Sequence, residues 1–290
     1  MPSLQAVPDF WHPAAARELL RWPLPYRGFA DRCLLRAIAL AGRGRVLGIG
    51  GLQNIRAGYD PFILALNHST RTEAVLVPAL LMLHRGGRMI HFMADWNFSL
   101  IPGVGFVYRR AQILTVTAKP AKPAFLNRLR PLYRGPVPVL DVARDCLARG
   151  RAVGVFPEGT VNRDPHRLLA GRRSAALLSL ETGAPVVPVG IRFPTVVDRQ
   201  IRDRDPMEVL IGAPLVPPRT TDRVSPAAVK AWHAVVMGEI ARLSGKRWPP
   251  ADCSPDDSLP RASSPDEASP KPSPYAPCPQ GGSRCDWTSA

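Results

Sequence analysis

Phe62-Ile63-Leu64-Ala65-Leu66 runs directly into Asn67-His68-Ser69-Thr70-Arg71-Thr72-Glu73, and an apolar helical pattern follows over Thr72–His84. Five consecutive apolar residues bounded by polar ones read as a strand buried on both faces, the kind found in parallel sheets. Strand, short polar turn and helix together make the α/β unit. A second instance lies downstream, where Ala152-Val153-Gly154-Val155-Phe156 leads into Pro157-Glu158-Gly159-Thr160. Ligands of open α/β sheets bind where strands end and helices begin. A histidine with a carboxylate five positions on, and a second carboxylate in a Pro-Glu-Gly turn, therefore read as one site reached from two segments.

The same alternation extends along the chain. Further strand-like runs occur at Val46–Ile49, Met89–Met93, Phe106–Arg109, Val186–Phe193 and Val209–Ile211. Helical patterns fill Pro138–Ala148, Leu168–Glu181 and Pro226–Leu243. In the last, Val229, Trp232, Val236, Ile240 and Leu243 keep helical spacing, Ser225-Pro226 starts the helix and Gly245 stops it. The expected fold is α/β, a mixed and largely parallel central sheet flanked by helices. Residues 1–44 form an N-terminal amphipathic segment, in which Pro23 and Pro25 divide two helices. Its arginines suit either a membrane surface or the outer face of helices packed on the domain. Residues 45–248 form the main domain. From Pro249 the chain turns to Pro, Ser, Asp and small residues, and the expectation for 249–290 is a disordered tail.

The formal net charge is +15 and the pI about 10.6. Six acidic residues against three cations make the tail net −3, so the preceding residues carry +18. Arginine richness of this kind fits nucleic acid, anionic lipid or phosphorylated substrates, and an arginine-biased genome produces it too. The five cysteines are irregularly spaced and suggest neither a disulfide framework nor a metal site. The N-terminus does not read as a signal peptide, and no apolar run reaches 18 residues. The expected location is cytoplasmic, peripheral on the inner face of the cell membrane.

Each carboxylate has two readings. His68 suits a general base, and Glu73 suits the partner that fixes its tautomer. Equally, Thr70-Arg71-Thr72-Glu73 is a capping box. Phe156-Pro157-Glu158-Gly159 is a β-turn as well as a functional edge. The segment Thr117–Pro136, with its prolines and cations, reads as a loop or lid resting on anionic headgroups, or as a plain surface insertion.

In order and context, these blocks resemble the glycerophospholipid acyltransferase family that includes the lysophosphatidate acyltransferases. The resemblance rests on Asn67-His68 with Glu73, Gly103 and Gly105 before Arg109, Phe156 to Thr160, and Pro185-Val186-Val187-Pro188-Val189. It covers about residues 45–215. It implies that His68 deprotonates an acceptor hydroxyl, which attacks the thioester of acyl-CoA or acyl carrier protein. Glu73 takes the place of the family's aspartate. Arg109, Glu158, Gly159, Thr160 and Arg163 would hold the phosphate and glycerol of a lysophospholipid, most naturally 1-acylglycerol-3-phosphate. No cofactor, metal or nucleic-acid partner is implied. The family's arginine after the threonine is absent here, where Val161 stands, and the next arginine is Arg163. The rival expectations are a catalytically lapsed lipid-binding relative and a basic nucleic-acid-binding protein.

Overall fold

The computed structural model describes residues 4–6, 13–101, 103–117, 120, 124–133, 135, 137–219 and 223–248. The expected tail, 249–290, and parts of Thr117–Pro136, including Lys119, Lys122 and Arg134, lie outside them.

Eight strands form the sheet: β1 (Leu4–Ala6), β2 (Val46–Gly50), β3 (Ile63–Leu66), β4 (Ile90–Asp95), β5 (Leu114–Val116), β6 (Ala152–Val155), β7 (Val186–Arg192) and β8 (Met207–Ile211). Their order is β1-β2-β8-β7-β3-β6-β4-β5. Only β1/β2 and β7/β8 pair antiparallel; every other neighbour pair is parallel. The expected mixed, largely parallel sheet is the one found.

Among the described residues eight α-helices accompany it: α1 (Pro13–Arg21), α2 (Phe29–Ala41), α3 (Glu73–His84), α4 (Val104–Arg110), α5 (Arg130–Tyr133), α6 (Val139–Ala148), α7 (Ser174–Thr182) and α8 (Pro226–Ser244). Among the described residues no helix is long and apolar enough to cross a membrane. The strand β3 shows how the core is divided. Leu64 and Leu66 join the cluster under α2 and α3, while Ile63 and Ala65 join the cluster under α6, α7 and α8. Two-residue alternation sends successive side chains to opposite faces, and all four are fully buried. Each large aliphatic buried this way contributes about 1.5–3 kcal/mol.

The break between the first two helices falls at Pro23 and Pro25, as expected. Leu19, Leu24, Leu35 and Ala39 enter the core, whereas Leu20, Tyr26 and Phe29 stay exposed. The start of α8 is capped by Ser225, whose Oγ accepts from the Ala228 amide at 3.1 Å. Gly245 ends it with φ of 72°.

Three assignments differ from expectation, the first being α5 (Arg130–Tyr133), which lies within the segment expected to be a loop. Phe106–Arg109 lies in the helix α4, because Gly105 donates to Ile101 and Val107 to Gly103. A Cβ on Gly105 would sit 2.4 Å from the Ser99 carbonyl oxygen, so a glycine permits this close turn. Residues 168–173 precede α7 rather than beginning it, because the Leu168 amide bonds the Arg247 carbonyl at 2.8 Å.

Candidate active site

Strands β3 and β6 are parallel neighbours, with Ala65 opposite Val155. Their C-terminal ends therefore place the His68 turn beside the Phe156 turn. Asn67 extends the β3 ladder with its side chain. Its Oδ1 accepts from the Ile191 amide at 2.7 Å, and its Nδ2 donates to the Ile191 carbonyl at 3.1 Å.

His68 is the partly exposed member of the turn, its side chain 15% accessible, while Glu73 beneath it is fully buried. The Nδ1 of His68 lies 2.9 Å from Glu73 Oε1. A carboxylate only accepts, so Nδ1 carries the proton and Nε2 is left with its lone pair. Glu73 Oε1 also accepts the Ser69 amide, and its Oε2 accepts Thr70 Oγ1 at 3.3 Å. Thr70 Oγ1 in turn accepts the Glu73 amide at 3.2 Å. Only half of the expected capping box is formed, the Glu73 amide on Thr70 Oγ1, because the carboxylate is taken by the histidine, the Ser69 amide and the Thr70 hydroxyl instead of the Thr70 amide. The Phe156 ring lies 4.6 Å from the imidazole, centroid to centroid, and Phe92 lies 5.6 Å beyond it.

The second turn closes as its sequence suggests, with the Gly159 amide donating to the Phe156 carbonyl at 2.9 Å. Gly159 has φ of +63°, a left-handed conformation that suits glycine. Glu158 points inward and is 6% exposed. Its Oε1 accepts the His68 amide at 2.9 Å. Its Oε2 accepts Asn162 Nδ2 at 2.7 Å and the Leu169 amide at 2.9 Å. The Asn162 amide then donates to the His68 carbonyl at 2.7 Å. Both main-chain polar groups of His68 are thus held by one turn. Burial pushes the Glu158 carboxyl above its usual value, against the pull of the Leu169, His68 and Asn162 donors and the Lys246 charge.

The cationic residues are dispersed. Arg163 donates to both oxygens of Asp203, at 3.0 and 2.9 Å, and to the Ile201 carbonyl at 2.7 Å. Partial burial opposes ionisation of Asp203, but the Arg71 amide and Arg163 hold it below the usual carboxylate range. Thr160 is exposed, and Arg109 is exposed on the last turn of α4. Arg172 comes closer to the turn: a Cβ built on Gly159 would meet its Nε at 3.0 Å. Its guanidinium is exposed and makes no hydrogen bond among the described residues.

Asn67, Ser69, Asn162 and Arg172 also build or border this centre. Asn67 and Ser69 flank His68 in sequence, whereas nothing local marks Asn162 as its carbonyl's donor. Among the described residues no three His, Cys, Asp or Glu side chains are grouped to hold a metal.

A family model described as Acyltransferase matches residues 47–192, just over half of the chain. The chain is 27% identical over 141 residues to a Brassica napus protein named 1-acyl-sn-glycerol-3-phosphate acyltransferase BAT2, chloroplastic, covering 49% of this chain and 36% of that one. It is 27% identical over 143 residues to the Arabidopsis thaliana 1-acyl-sn-glycerol-3-phosphate acyltransferase LPAT1, chloroplastic, covering 49% and 35%. The match thus spans about a third of the length of these curated relatives. The crystal structure of the 1-acyl-sn-glycerophosphate acyltransferase PlsC from Thermotoga maritima superposes with a TM-score of 0.49 at 22% identity, over 81% of this chain and 90% of that one. By the family model, which spans the His68 turn, the Glu158 turn and strands β3 to β7, the chain belongs to the Acyltransferase family.

Proposed function

We propose that this chain transfers a fatty acyl group from an acyl thioester, on CoA or acyl carrier protein, to the hydroxyl of a lysophospholipid, 1-acylglycerol-3-phosphate foremost. The observation that carries this reading is the buried Glu73 holding Nδ1 of a partly exposed His68. In the reaction, His68 Nε2 takes the proton of the acceptor hydroxyl while its oxygen attacks the thioester carbonyl. The Glu73 carboxylate stabilises the imidazolium that forms. As the carbon–sulfur bond breaks, the leaving thiolate receives the proton back from Nε2. The products are the ester and the free thiol, and base assistance of this kind contributes about 10²–10⁴ in rate.

Glu158 acts in this account by fixing the main chain of His68, since its oxygens are engaged by His68, Asn162 and Leu169. Arg172, beside Gly159, is the cation best placed to meet the acceptor phosphate at that turn. Arg163 braces Asp203. An apolar pocket bordered by Ala74, Val75, Pro78, Phe92, Val107 and Ile113 suits the acyl chain. Phe92 also contacts Phe156, which covers the imidazole. The two curated relatives carry the same substrate in their names.

A peripheral site on the inner face of the membrane completes the reading. Phe125, Leu129 and Leu132 are exposed beside Arg128, and Leu20 and Phe29 are exposed on α1 and α2. Apolar side chains among cations suit an anionic lipid surface. The test is expression in a strain lacking its own lysophosphatidate acyltransferase, followed by lipid mass spectrometry. Growth with new phosphatidate supports the reading. Accumulated lysophosphatidate without phosphatidate, at normal protein levels, rejects it.

A further inference from the structure

Lys246 stands 177 residues from Ser69 in sequence and outside the matched family segment, yet its ammonium ends beneath the His68 turn. The fold delivers it there by a specific route. At Gly190 of β7 a Cβ would lie 2.3 Å from both the Leu243 carbonyl carbon and the Ser244 nitrogen, so glycine admits the last turn of α8 onto the sheet. Arg192 Nε donates to the Leu243 carbonyl at 2.5 Å and ties that turn down. Gly245 reverses the chain, and Arg247 then pairs with the loop after the Glu158 turn. Its amide donates to His166 at 2.7 Å, and its carbonyl accepts from Leu168 at 2.8 Å.

Lys246 itself is 5% exposed. Its Nζ donates to Ser69 Oγ at 2.8 Å and to the Asp164 carbonyl at 2.7 Å. Neither acceptor is charged. A buried ammonium held this way is costly compared with an apolar side chain of the same length. Three carboxylates face it: Glu73 from α3, and Glu158 and Asp164 from the segment after β6. Burial lowers the lysine's affinity for its proton, and these three oppose that effect. The Asp164 carboxylate is itself engaged by the His166 and Arg167 amides.

We propose that Lys246 is a positioning residue for the His68–Glu73 pair. Through Ser69, whose amide bonds Glu73, it anchors the turn. Its ammonium faces the Glu73 and Glu158 carboxylates that hold the ring and the main chain of His68. The catalytic part of this inference rests on the acyl-transfer reading; the anchoring of the turn does not.

The test uses the full chain and two readouts. The first is hydrogen exchange at the His68 and Ser69 amides by NMR, which needs no substrate. In Lys246→Met exchange at these two amides speeds about tenfold or more while the amides of β3 and β7 keep their wild-type protection. In Ser69→Ala it speeds as well, since the tie from Nζ to Oγ has gone, and Lys246→Arg stays near wild type. The second is initial rate with palmitoyl-CoA and 1-acylglycerol-3-phosphate. In Lys246→Met kcat falls about tenfold with KM for the acceptor little changed, and Lys246→Arg restores it. Wild-type exchange at the two amides in a folded Lys246→Met protein overturns the proposal. If Lys246→Met does not fold, Lys246→Gln takes its place. Failure of both to fold, with Lys246→Arg folded, makes the residue structural and overturns the proposal as well. A wild-type protein that transfers no acyl group rejects the acyl-transfer reading while the NMR result still decides the role of Lys246.

Discussion

The two turns that meet at His68 each bury a carboxylate, and they use it differently. Glu73 holds the imidazole ring, through Nδ1, with its side chain fully buried. Glu158 holds the main chain of the same residue and reaches no part of the ring's hydrogen-bonding edge. One carboxylate therefore holds the tautomer and orientation of the ring, and the other fixes the main chain that carries it. A patterned acidic residue at a strand end can thus be committed to the main chain of the histidine instead of its ring.

Exchanging Glu73 for Gln separates these roles most sharply. Its Oε1 can still accept from Ser69 and His68, so the fold should be kept, while the charge proposed to stabilise an imidazolium is lost. The expected outcome is a fall in kcat of about 10²–10⁴ with an unchanged melting curve. A stable Glu73→Gln protein of wild-type rate would break the distinction. Next in size is Glu158→Ala, which leaves the buried donors of His68, Leu169 and Asn162 unpaired. At about 1–3 kcal/mol for each unsatisfied group, urea unfolding should show a loss of roughly 3 kcal/mol or more. Activity measured on the folded fraction should fall because His68 is displaced.

A histidine without a carboxylate supplies the third comparison. His84, at the far end of α3, packs edge-on against Trp22 with ring centroids 4.8 Å apart. Burial lowers its titration to about 4. The folded chain then binds the proton more weakly than the unfolded one. Stability is fully present above pH 6.5 and is lost as pH falls through 4. The His84 contribution is about 2 kcal/mol smaller at pH 5 than at pH 7, and the buried His91, whose titration is lowered too, acts in the same direction. His84→Phe should lessen that dependence by about this amount, and a variant with the wild-type pH slope would remove His84 as a cause.

Sequence pattern alone marks the His68 turn well. The apolar run Ile63–Leu66 is buried on both faces, the histidine and Glu73 keep a spacing that one helical turn can close, and Ser225 caps α8 as its position suggests. Other parts depend on contacts between distant residues and leave no local trace. Phe106–Arg109 is four residues long, too short to show a period, and Gly105 against Ser99 decides its helical state. The role of Glu158 depends on a turn 90 residues upstream. Arg163 looks free in sequence but is engaged by Asp203, 40 residues on. Lys246 is one lysine among several until Gly190 and Arg192 bring its backbone to the sheet.

The most direct measurement is the rate of acyl transfer from palmitoyl-CoA to 1-acylglycerol-3-phosphate by purified wild-type and His68→Ala proteins of matched thermal stability. The variant is expected to lose at least about 10²-fold in kcat while keeping its fold. A His68→Ala protein that transfers the acyl group at the wild-type rate would contradict that expectation.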